Sequence, residues 1–96
     1  MSVVILEISY SNPCPVLATD NDSRLLALSG SPECDSFTTS DGRKHSFSFN
    51  YDSDMVGKVA MDRIRGVARR ILRDNEEVAG FDIRFHGGVK ADISEF

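Results

Sequence analysis

Between Asp52 and Asn75 the apolar residues Val56, Val59, Ala60, Ile64, Val67, Ala68 and Ile71 recur every three or four positions. That spacing gathers them on one stripe of a helix. Lys58, Asp62, Arg65, Arg69 and Arg73 fall on the opposite face, with Arg63 and Arg70 at its border. A helix with one apolar stripe needs one surface to cover, and the flanking segments supply it. Residues 44–51 alternate, with His45, Phe47, Phe49 and Tyr51 on one face and Lys44, Ser46, Ser48 and Asn50 on the other, the pattern of a half-buried antiparallel strand. Residues 79–85 alternate too: Ala79, Phe81, Ile83 and Phe85 are expected to face in, Gly80, Asp82 and Arg84 out. Asp52 or Ser53 caps the helix start, Asp54 complements the positive end of its dipole, and Asn75 is a suitable stop. Gly57 and Gly66 each weaken a helix by about 1 kcal/mol relative to alanine, so packing compensates there or a neighbour comes close.

Residues 2–10 form a further predicted strand, with Val4, Leu6, Ile8 and Tyr10 on one face and Val3 and Ile5 on the other. Asn12-Pro13-Cys14-Pro15 breaks it. Residues 16–18 begin a short second strand and residues 20–23 carry turn chemistry. Residues 24–28 (RLLAL) are predicted as a strand buried on both faces, with a helical turn as the alternative at that length. Residues 29–43 are predicted as one long irregular stretch, punctuated by Gly30, Pro32 and Asp41-Gly42, with Phe37 as its single large apolar residue. Gly87-Gly88 invites a hairpin to residues 89–93. A three-residue loop from His86 to Gly88, with a left-handed glycine, sets Phe85 against Val89 and Ile83 against Ala91, which keeps the two faces separate. The expected fold is α+β: residues 1–96 as a single domain, with one antiparallel sheet of four to five strands and one amphipathic helix packed on one face, in the order βββαββ.

Charge is unevenly spread. Six basic residues and one acid lie between Met55 and Arg73, giving that segment +5, so a net charge of -4 leaves -9 for the remainder. The apolar run Val3–Ile8 is short, contains Glu7 and lacks the flanks of a signal peptide, so the expected location is cytoplasmic. Two cysteines do not make a disulfide framework. Free thiols are expected in a reducing compartment, with a Cys14–Cys34 bridge as the alternative. Asp20, Asp22 and Ser23 fail as a calcium loop, because Leu25 stands where the sixth-position glycine is required. No Cys/His spacing suggests zinc, and Gly87-Gly88 lacks the lysine and third glycine of a phosphate loop. Glu33 and Asp35 beside Cys34 raise its thiol pKa, against the needs of a nucleophile paired with His45 or His86. No cofactor and no catalysis are expected.

The leading expectation is therefore a small non-catalytic protein–protein interaction module, in its narrower form an inhibitor or accessory factor of a nucleic-acid machine, of the anti-CRISPR-like kind encoded by phages and mobile elements. Two partner-binding surfaces are candidates: the basic helix face (Lys58, Arg63, Arg65, Arg69, Arg70, Arg73) and the acidic loops (Asp20, Asp22, Glu33, Asp35, Asp41). One alternative is a nucleic-acid-binding module using the helix at 55–73. Another is a small-ligand binder or minor enzyme with its site near the 29–43 loop. A homodimer formed through a sheet edge is compatible with each.

Overall fold

The computed structural model of the chain describes residues 1–12, 23–27, 29–30 and 33–88. Four strands, β1 (Ser2–Tyr10), β2 (Glu33–Thr38), β3 (Lys44–Tyr51) and β4 (Val78–His86), form one antiparallel sheet in the order β2-β3-β1-β4. A long helix, Asp54–Asp74, joins β3 to β4. The expected α+β architecture, a single antiparallel sheet with one main helix on one face, is what the chain adopts. A short helical segment at 23–27 stands between β1 and β2. Counting it, the order is β-α-β-β-α-β, the split βαβ arrangement.

The inner face of the sheet follows from the alternation. β1 buries Ser2, Val4, Leu6, Ile8 and Tyr10, and β3 buries His45, Phe47, Phe49 and Tyr51. Register sets them side by side: Val4 opposite Phe49, Leu6 opposite Phe47, Ile8 opposite His45. On the other side of β1, Phe85, Ile83 and Phe81 stand opposite Val4, Leu6 and Ile8. The helix closes this face with Gly57, Ala60, Ile64, Val67, Ala68 and Ile71. Ser53 caps it by accepting the Val56 N–H at 3.2 Å, and Asn75 stops it by donating both backbone N–H and side-chain amide to the Ile71 carbonyl.

Several expectations change. Residues 24–27 are helical, not a strand. Arg, Leu and Ala favour helix, no β-branched residue opposes it, and only Leu25 needs burying; Leu26 stays about half exposed. The stretch 29–43 is not irregular throughout, for it contains β2, whose residues 35–38 are exposed on both faces and so carry no alternation to detect. Ala79 points outward. A bulge lies between Ser9 and Tyr10, where Gly80 pairs with Ser9 but Val78 with Tyr10; the extra residue reverses the face, and Val78 takes the buried place. His86 is the last residue of β4, not a loop residue, while Gly88 does take the left-handed conformation at φ 68°. Pro13, Cys14, Pro15, the strand at 16–18, Asp20, Asp22 and the hairpin partner at 89–93 lie outside the described residues, and with them the Cys14–Cys34 bridge.

The two helix glycines differ. The Ser2 hydroxyl donates to the Ser53 carbonyl at 2.9 Å, drawing the helix start onto β1. A Cβ at Gly57 would collide with that hydroxyl and stand 3.0 Å from the Phe85 ring, whereas a Cβ at Gly66 would meet nothing within 4 Å. Gly57→Ala is therefore expected to destabilise the protein by about 1–3 kcal/mol despite the better helix former, and Gly66→Ala to stabilise it by up to about 1 kcal/mol. Urea unfolding of the two variants checks the opposite signs. Adding Ser2→Gly to Gly57→Ala is expected to restore part of the loss.

Candidate interaction surfaces

The helix contacts β4 and β1 much more than β3. Residues 23–27, followed by Ser29 and Gly30, send Leu25 into the core on the inner face of the sheet. The buried Tyr51 hydroxyl holds this segment by donating to the Ser29 carbonyl at 2.9 Å, and the Ser29 hydroxyl donates to Leu26 at 3.1 Å. Between the segment and the first turns of the helix lies a groove of about 350 Å³, lined by Ser29, Gly30, Met55, Val56, Val59 and Arg63 over a floor of Ala60. Val56 and Val59, expected on the buried stripe, are 53% and 51% exposed, and Met55 is 78% exposed. The stripe is real from Ala60 onward. Its first turn overhangs the gap between the two helical segments.

The basic residues divide into two groups. At about 100° per residue, Arg63 and Arg70 share the groove flank with Val56 and Val59. Lys58, Arg65 and Arg69 lie toward the other flank, where the Lys58 ammonium stands 5.8 Å from the centre of the Phe85 ring, within reach of a cation–π contact. Arg65 pairs with Asp62 at 3.3 Å and Arg73 with Asp74 at 3.0 Å. These exposed pairs add little stability, but they neutralise two of the six cations. Among the described residues Arg63, Arg69 and Arg70 form no ion pair. The hydrogen bond from Arg73 holds the Asp74 carboxyl below the usual aspartate range, and the charges of Arg24 and Arg70 act in the same direction. The charge of Arg24 thus acts on the helix C-terminus, a cation the charge pattern did not single out.

Of the acidic candidates, Asp35 and Asp41 are described, and they occupy different elements. Glu33 begins β2, and Asp35 sits within it, opposite Ser48 on the face away from the helix. Asp41 belongs to the turn between β2 and β3, where its carboxylate accepts from the Thr39 hydroxyl at 2.6 Å and the Arg43 N–H at 3.0 Å. Those two hydrogen bonds, with Thr39 the larger influence, lower its pKa. Asp20 and Asp22 lie outside the described residues. Cys34 falls on β2 and His86 at the end of β4, separated in the sheet by β3 and β1. His45 is buried, its ring centre 4.5 Å from that of Phe47. Among the described residues no group of three or more His, Cys, Asp or Glu side chains is placed to hold a metal ion, and no helix is long and apolar enough to cross a membrane.

The fold has a solved counterpart. The structure of Rv0793 from Mycobacterium tuberculosis is similar to this chain with a TM-score of 0.58 and 17% sequence identity, covering 96% of this chain and 100% of that one. At that identity the likeness is one of fold. No family model and no curated protein matches the chain.

Two outcomes test this local chemistry. Tyr51→Phe removes the hydroxyl that donates to the Ser29 carbonyl and is expected to cost about 1–3 kcal/mol, with amide hydrogen exchange rising first at residues 25–27 and 29–30. Asp41 has a lowered pKa in the folded state, so its contribution is present above the unfolded value of about 3.9 and is lost as pH falls through the lower folded value. Asp41→Ala is therefore expected to be less stable than the parent at neutral pH, and to lose less stability on acidification below pH ~4. Thermal unfolding across that range measures both.

Proposed function

We propose that this chain is a non-catalytic protein–protein interaction module that receives its partner on the groove flank of the long helix. The observation that carries this reading is the set of three exposed apolar side chains, Met55, Val56 and Val59, in a groove of about 350 Å³ with Arg63 at its rim. A helix exposes such residues at a cost in apolar hydration, and contiguous apolar patches rimmed by polar groups mark interaction sites. The charge pattern selects the partner. Arg63 and Arg70 lie seven residues apart on the same flank, about 10 Å along the axis. A partner segment with one aliphatic or aromatic anchor and a carboxylate or two beyond it meets both features. The apolar floor supplies affinity and the arginines supply steering and orientation. The narrower inhibitor form would set an acidic surface of this chain into a basic groove, and draws no support from Asp41, whose carboxylate is engaged in its own turn.

A second reading, nucleic acid on the helix, is favoured by Arg63, Arg69 and Arg70, which form no ion pair among the described residues. It leaves the valines and Met55 unused, and it requires affinity that falls steeply with salt.

One variant separates the two. Val59→Glu is expected to keep the parent's urea midpoint, because the side chain is half exposed, and to weaken capture of the partner from nuclease-treated host lysate at least tenfold, in keeping with loss of a central interface contact. If capture is unchanged in Val59→Glu, or if the only bound material is nucleic acid released by salt, the interaction-module reading of this groove fails.

A further inference from the structure

Of the two glycines in the long helix, one is explained by its neighbours. Ser2 and Phe85 leave no room for a Cβ at Gly57. Gly66 is exposed, and a Cβ there would meet nothing within 4 Å. It costs the helix about 1 kcal/mol relative to alanine, and no described residue occupies the space it leaves. Its place on the helix is informative. Val56, Val59, Arg63, Gly66 and Arg70 follow one another at steps of three, four, three and four residues, the spacing of a coiled-coil seam. At about 100° per residue they fall in a band about 80° wide, beside the buried stripe and not within it. All five are exposed. The seam runs about 21 Å along the axis, from the groove at Val56 and Val59 to Arg70.

We infer that this seam docks an acidic amphipathic α-helix of a partner protein, packed lengthwise on the long helix with its closest backbone approach at Gly66. The inference rests on the groove reading above and names the kind of segment that fills it. Three features select a helix. The seam repeats every 3.5 residues on average, the period at which two helices stay in contact over several turns. A helix engages its own amides and carbonyls, so it offers no main-chain ladder to an extended segment. Glycine lets a facing backbone come close where a side chain would hold it off. The charges select an acidic partner. Arg63 and Arg70 stand one heptad apart and form no ion pair among the described residues, so two carboxylates seven residues apart on the partner reach both. An apolar pair one heptad ahead of those carboxylates meets Val56 and Val59, and one of its side chains enters the groove of about 350 Å³. A second copy of this chain is the poorer occupant, because its own seam would set arginines against arginines.

The test uses the full chain and two helical peptides of three heptads with the same apolar pattern, one carrying Glu and the other Lys at the positions that face Arg63 and Arg70. The Glu peptide is expected to gain helical circular dichroism on binding and to shift the amide resonances of residues 55–70, with those of β2 unchanged. The Lys peptide is expected not to bind. Gly66→Leu is expected to lower Glu-peptide affinity at least tenfold while its urea midpoint stays at or above the parent's. Gly66→Ala is expected to raise the midpoint and lower the affinity, so that stability and binding move in opposite directions. Arg63→Glu combined with Arg70→Glu is expected to transfer the preference to the Lys peptide. Absence of Glu-peptide binding, equal binding of the two peptides, or parental affinity in Gly66→Leu would overturn the inference. Resonance shifts at 55–70 that grow with protein concentration alone would overturn it too, and assign the seam to a second copy. Capture from nuclease-treated host lysate separates this inference from the groove reading. Capture weakened in Val59→Glu but parental in Gly66→Leu keeps the groove and discards the helix, whereas parental capture in both discards the two together.

Discussion

A single helix is too narrow for this sheet. Four strands at about 4.8 Å spacing set the outer two about 14 Å apart, whereas a helix with its side chains is about 10 Å across. The long helix lies over β4 and β1, anchored at its start by the close approach of Gly57 to Ser2 and by the Gly88 N–H, which reaches both carboxylate oxygens of Asp54 at 3.0 Å. With that end fixed, the helix meets β3 less than it meets β4 or β1. Leu25 joins the core, and the Tyr51 hydroxyl holds Ser29 at the end of β3. The groove beside Val56 and Val59 follows from this shortfall in coverage.

The parts of the fold legible in the sequence were those whose burial is one-sided. β3, the helix beyond Ala60, and the Phe81-Ile83-Phe85 face of β4 each bury alternate or every third-to-fourth residue, and the matching periods were plain. β2 had no such signature because residues 35–38 bury neither face; a strand without a buried side has no period to detect. Residues 24–27 misled in the opposite way. Two leucines and an alanine in succession suggest burial on all sides, yet only Leu25 is buried, and helix propensity would have been the better guide than apolarity. Ala79 shows a third limit: a bulge displaces the alternation by one residue, and its position depends on how β4 meets β1 at Tyr10, a contact between segments nearly seventy residues apart in the chain.

The candidate surfaces were legible in composition and not in shape. The +5 segment was evident from the sequence, as was the assignment of Arg63 and Arg70 to the border of its face. Nothing in the spacing revealed that the border adjoins a groove, because the opposite wall comes from residues 29–30, more than twenty positions away. Val56 and Val59 fit the apolar stripe by position and fail it by geometry: the stripe winds past the end of the surface it was meant to cover. Asp35 and Asp41 separate for a similar reason. Once residues 33–43 form a hairpin rather than a loop, Asp35 is committed to a strand face and Asp41 to a turn.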